Sequence, residues 1–287
     1  MKVPETQAAR TLAVCADGFG LARGISAGIH RLAQAQRLNA VACITNSPHW
    51  EASAVLLGTL PASVDAGLHI NLTEGRPLSP RLAKLWPRLP SLPMLAARAH
   101  LGWLPRAELR SEVHAQLAAF RAATGAAPKF IDGHQHVHHL PGLRGIILDM
   151  VEHVQPLPAL RNTGRVLGPG AAAKRWLIEH TGGRALAREL AQRVMLHNPT
   201  LLGACDFADP DYRALVQGWL AVLPREGGLL FCHPGQAAAG DPPDRIAAAR
   251  AREWVYLGSD AFVHDLAAAG VTLGRVWQTG AAPARPR

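Results

Sequence analysis

Four short strand-like runs in this chain each stop on an acid or an imidazole. Residues 11–16 (TLAVCA) lead to Asp17, residues 64–69 end on His69, and Phe130-Ile131 lead to Asp132 and His134. Residues 228–232 (GLLFC) lead to His233. Apolar runs of this length suit strands covered on both faces, as in a parallel sheet. Helical spacing follows the first run, through Ile25, Ile29, Leu32 and Ala33. Strand, polar turn and helix in succession make a βα unit. The fold class read from this pattern is α/β. A parallel barrel would gather Asp17, His69, His134 and His233 on one rim, at the carboxyl ends of its strands.

A chain of 287 residues can bury a large core as one α/β barrel. Residues 1–287 are read as a single domain, because neither an internal repeat nor a linker-like stretch interrupts them. No apolar run approaches the roughly 20 residues that cross a bilayer, so no membrane span is expected. Residues 1–10 are polar and lead straight into a strand, unlike a secretory signal. Cys15, Cys43, Cys205 and Cys232 are far apart in sequence and lie in strand-like stretches. Reduced core thiols in a cytoplasmic protein are the expectation. The net charge of +9 could suit an anionic partner. However, the arginines are scattered, without the dense basic stretches and interleaved aromatics of a nucleic-acid binder. Only residues 284–287 resemble a basic tail.

Further strands are expected at 40–45, 158–162, 201–206 and 271–277, with Arg161 near the end of one of them. Helices are expected at about 24–36, 49–57, 106–122, 141–153, 212–223, 244–257 and 259–269. Residues 76–105 carry six prolines and read as an irregular insertion. A loop that long is usually functional or disordered, and Trp86 and Trp103 could stack on a sugar or simply pack. Residues 164–199 are less legible: a Gly/Pro loop and one or two helices.

Four of the fourteen histidines, His134, His136, His138 and His139, fall within six residues. With a strand period of two, His134, His136 and His138 would share a face, with Asp132 beside them. Neutral imidazole is a common metal ligand, and a nearby carboxylate often fixes its tautomer. The competing reading is a polar loop with incidental histidines. Two histidines and a carboxylate can hold a divalent ion and leave room for water and substrate. A further carboxylate as base and a separate histidine as acid would suit hydrolysis of an amide or ester.

The stretches at 16–21 (ADGFGL), 67–75 (GLHINLTEG), 131–138 (IDGHQHVH) and 232–235 (CHPG) resemble, in order, the motifs of the YdjC family of carbohydrate deacetylases. That family includes chitooligosaccharide deacetylases and hopanoid-associated homologues. Arg250 and Glu253 resemble its late Arg-x-x-Glu signature. The resemblance implies a distorted (β/α) barrel related to polysaccharide deacetylases and a divalent metal, magnesium or zinc. It also implies removal of an acetyl group from an N-acetylated amino sugar. On this basis His69 and His134 are the metal-binding histidines, Asp17 the general base, and His233 the acid that protonates the leaving amine. Asp132 and Arg161 would orient neighbouring side chains, and His136 and His138 would back the site or lie on the loop surface. The partners expected are the acetylated sugar and a second copy of the chain.

One position departs from the pattern. Where the family has a second Asp, a carboxylate metal ligand, this chain has Gly18. Three consequences are open: Asp17 moves onto the metal, water fills the gap around a weakly held ion, or the chain binds saccharide without turning it over.

Overall fold

A computed structural model describes residues 10–279. The polar N-terminal stretch before Arg10 and the basic tail at 284–287 lie outside the described residues. The strand β1 (Arg10–Phe19) is buried from Leu12 onward and is the longest of the ten among the described residues. It pairs in parallel with β2 (Ala40–Cys43), β8 (Gly228–Cys232) and, at its start, β9 (Val271–Leu273). Beyond β2 come β3 (Asp65–Ile70), β4 (Phe130–Gly133), β5 (Ala159–Leu160) and β6 (Leu196–His197), each parallel to the last. The order is closed at one end by β7 (Leu201–Leu202), beside β8, and at the other by β10 (Gln278–Thr279), antiparallel to β6.

The chain itself shows why this sheet curls. β6 and β7 lie near opposite ends of the strand order, yet only residues 198–200 separate them. Three extended residues span about 10 Å, so the two ends must approach one another. Asn198 stitches the gap: its Oδ1 accepts the Asn162 N–H, and its Nδ2 donates to the carbonyls of Asn162 and Thr200. A single bridge from Val166 to Leu201 completes the turn. The result is a distorted, mostly parallel α/β barrel, as expected from sequence.

Alternation along the strands sorts side chains between two cores. In β1, Leu12, Val14 and Ala16 face the helices, whereas Ala13 and Cys15 face the barrel interior. Ala40, Ala42, Phe130, Ala159, Leu229 and Phe231 join the interior set. Small residues leave room there for two large rings: Phe130 stacks on Trp277 with centroids 5.1 Å apart. One step of two further along each strand lie Asp17, Asp132, Arg161 and His233. The inner apolar layer thus ends in a polar one at the carboxyl ends of the strands.

Several expectations change. β4 stops at Gly133, and His134–His139 form a tight turn in which Gln135 and His136 have φ of 53° and 61°. The three histidines therefore do not alternate along a strand. The insertion is not irregular: helices span Pro80–Leu85 and Leu92–His100, and Leu82 and Leu95 are fully buried. Pro80 and Pro93 sit in the first helical turn, where the missing N–H costs nothing, and the Ser79 side chain caps the first helix. Trp86 packs beneath Arg98, and Trp103 is exposed. Cys205 lies in a loop rather than a strand, although all four cysteines are buried and unpaired.

Gly67 shows how tight the interior is. A Cβ there would lie 2.5 Å from the Phe130 ring, which is itself stacked on Trp277. Gly67→Ala should cost about 1–3 kcal/mol through overpacking, measured as a lowered urea midpoint with an unchanged m-value.

Candidate active site

Arg161 follows β5 directly, is fully buried, and gathers residues from three strands. Its Nη1 and Nη2 donate to Oδ2 and Oδ1 of Asp17, both at 2.6 Å. Nη2 also reaches Cys15 Sγ at 3.1 Å and forms an ion pair with Asp132 Oδ2. That last contact is oblique, so Oδ2 has no aligned hydrogen bond. The other oxygen of Asp132 accepts a 2.6 Å hydrogen bond from His69 Nδ1–H. This bond fixes the His69 tautomer and leaves Nε2 as the free lone pair. Two carboxylates face one guanidinium, so the buried cluster retains negative charge that a cation beyond His69 would balance.

The His134 ring stands edge-on to His69 with centroids 5.5 Å apart. Its Nε2 is buried and has no aligned hydrogen bond, although Glu74 Oε1 lies 3.3 Å away. Two adjacent imidazoles, one ring oriented by a carboxylate, are the donor type that holds a divalent ion. Among the described residues, the trio whose donor atoms all lie within 4.8 Å of one another is instead Cys15, Asp17 and Asp132. Arg161 touches all three, so a positive charge already stands at that spot.

His138 supports the cluster from behind. Its Nε2–H donates to the Arg161 carbonyl at 2.9 Å, which fixes the backbone from which the guanidinium projects. Burial pushes its pKa down to about 3, so the ring is neutral. His136 lies against the edge of Phe231, with burial pushing its pKa well down, and makes no side-chain hydrogen bond among the described residues. The His233 ring sits between Phe207 and Phe231, at centroid distances of 5.0 and 5.7 Å. Glu253 accepts its backbone N–H, and Arg250 donates to its carbonyl.

The YdjC-like protein family matches residues 11–268. The chain belongs to that family. It is 34% identical over 163 residues to a mouse (Mus musculus) protein named carbohydrate deacetylase, covering 53% of this chain and 52% of that protein. It is 32% identical over 151 residues to a chitooligosaccharide deacetylase of Proteus mirabilis, covering 50% and 56%. The matched stretch thus spans about half the length of each relative. A crystal structure from Enterococcus faecalis, of a candidate cellobiose-phosphate cleavage protein, superposes with a TM-score of 0.72 at 20% identity. It covers 93% of this chain and 98% of its own, and shares the fold.

In this YdjC-like chain the structure brings together Asp17, His69, Asp132 and Arg161, with His134 beside His69. His136 stands apart from the hydrogen-bonded set. Two groups escaped the sequence reading. Cys15 reads as a core thiol, although a strand period of two places it on the same face as Asp17. For Glu74, nothing in the local pattern shows that the loop after β3 turns back onto His134. Gly18 is the extra residue of a bulge: Asp17 pairs with Ala42 and Phe19 with Cys43, while Gly18 adopts φ of 98°. A Cβ at this position would have Arg250 Nη1 as its nearest neighbour, at 3.6 Å. A side chain fits the space there, at a backbone cost of about 1–3 kcal/mol.

Burial would raise the Asp17 pKa, but the Arg161 guanidinium, by its charge and its hydrogen bonds, outweighs it and holds the carboxyl well below the usual range. Burial pushes the His233 imidazole well down, so it is neutral at neutral pH. Burial likewise pushes Glu253 up to about 7. Because this folded pKa exceeds the unfolded one, the charged form weakens the fold. Stability on this account is greatest below about pH 4.5 and falls as pH rises toward 7. Glu253→Gln should therefore raise the melting temperature at pH 8, and the difference should vanish below about pH 4.5. Equal melting temperatures at pH 8 would contradict the assignment.

Proposed function

We propose that this chain is a metal-dependent hydrolase that removes an acetyl group from an N-acetylated amino sugar or oligosaccharide. The observation that carries the reading is His69, held by Asp132 through Nδ1, with the His134 ring edge-on beside it. The names of the relatives supply the substrate class. His69 and His134 would hold the ion, magnesium or zinc. Such an ion lowers the pKa of water and polarises a carbonyl oxygen.

The side chains would do the rest. Arg161 holds the Asp17 carboxylate in one orientation and keeps it ionised, and since Oδ1 also accepts from the Cys15 thiol, Oδ2 keeps the lone pair that would take a proton from the attacking water. Arg161 thus trades basicity for position. His233 would protonate the departing amine. Being neutral at neutral pH, it would first gain that proton, and the one that Asp17 takes from the water balances the step. The Phe207 and Phe231 rings stand nearly perpendicular to the His233 ring on contact. A cytoplasmic location belongs to the same proposal, on the strength of four buried, unpaired thiols. No helix among the described residues is long and apolar enough to cross a membrane.

Gly18 favours a second reading, a saccharide-binding protein without turnover on the same barrel. Acetate release from diacetylchitobiose with added magnesium or zinc separates the two. The enzyme reading expects release, and a fall of about 10²–10⁴-fold in His233→Ala with metal content unchanged. Sugar binding without acetate release would favour the second reading. An unaltered rate in His233→Ala would remove that residue from the mechanism.

A further inference from the structure

The strand β8 ends at Cys232, its last pairing with β1, and His233 is the first residue beyond it. Backbone groups that leave a sheet in a buried region need other partners. Pro234 follows and has no N–H, so the next donor after His233 is Gly235. Three successive backbone groups here go to one helix, Ala247–Gly258. Glu253 Oε2 accepts the His233 N–H, and Arg250 Nη1 donates to the His233 carbonyl at 3.2 Å. The Gly235 N–H donates to the Arg250 carbonyl, also at 3.2 Å.

The two gripping side chains are themselves buried, and Asp244 steadies Arg250 by accepting its Nε–H at 2.6 Å. Glu253 forms no ion pair among the described residues, so burying it burdens the fold unless the bond to His233 matters. The same helix also holds a neighbour of the His233 ring. Arg252 Nη2 donates to the Phe207 carbonyl at 2.8 Å, and Phe207 stands edge-on to His233. Phe207 adopts φ of 67°, which is uncommon for a bulky residue, and Lys174 Nζ lies 4.6 Å from its ring centroid. Such strain persists only where the surroundings over-determine it.

We propose that Arg250 and Glu253 are positioning residues for His233, acting through its backbone to set where the imidazole meets the departing amine. This rests on the reading of His233 as the acid of the proposed reaction. A displacement of about 1 Å can cost about 10²-fold in rate.

The test compares acetate release from diacetylchitobiose, with added zinc, by the full chain and its Glu253→Ala, Glu253→Gln, Arg250→Met and His233→Ala variants. Imidazole NMR signals of His233, assigned by their loss in His233→Ala, accompany it, and melting curves show which variants fold. Glutamine offers an oxygen to the same N–H, whereas alanine offers none. Glu253→Ala should lower kcat about 10–10²-fold with KM and zinc content unchanged, and should move the His233 signals. Glu253→Gln should restore most of both. Arg250→Met, which removes the donor to the carbonyl, should act like Glu253→Ala and replaces it if that variant does not fold. Wild-type kcat and unmoved signals in Glu253→Ala and Arg250→Met, alongside lost activity in His233→Ala, would overturn the clamp and leave the hydrolase reading standing. An equal fall in Glu253→Gln would also overturn it, because charge rather than position would then be what was lost. Should the wild-type chain release no acetate, the hydrolase reading fails, and with no leaving amine for His233 to meet the positioning role falls with it.

Discussion

A single guanidinium, that of Arg161, sits where three strands end and holds the site in register. Two aspartates and a thiol converge on it from β1 and β4, and His69 reaches it from β3 through Asp132. Such a cluster adds little net stability, because stripping water from three charges offsets much of their attraction. Breaking it is another matter: an uncompensated buried charge costs about 3–5 kcal/mol. The cluster therefore acts as a geometric constraint. It permits one arrangement of strand ends and penalises the others, and the orientation of His69 is one consequence of that arrangement.

The same constraint explains the layering of the barrel. Interior positions run from alanine, cysteine and phenylalanine to charged groups within one strand period. The apolar layer excludes water beneath the ions, which strengthens their mutual attraction. His138, neutral and tied to the Arg161 carbonyl, closes the cluster on the remaining side.

Much of this was legible in the sequence, and the failures have physical causes. The long buried strands and the amphipathic helices declare themselves by period, and the residues ending those strands do assemble. β6 and β10 are two residues long, too short for any period, so the curl of the sheet could not be read. The histidine run has the spacing of a strand, but positive φ at Gln135 and His136 turns it into a tight loop, and such backbone states leave little trace in side-chain pattern. Prolines in the insertion suggested irregularity when two of them begin helices. Glu74 depends on a turn fixed by Gln116, a residue more than forty positions away, and local pattern carries no such information.

Gly18 connects these points. The bulge that aims Asp17 at Arg161 places the next residue in a conformation that favours glycine, so the aim of Asp17 and the absent side chain are two aspects of one backbone feature. On the proposed reading, the cation would depend on the paired imidazoles. The anomalous difference map of a zinc-soaked crystal of the full chain tests this most directly. The account predicts one strong peak contacting His69 Nε2 and His134. A peak enclosed by Cys15, Asp17 and Asp132 instead, or none at saturating zinc, would contradict it.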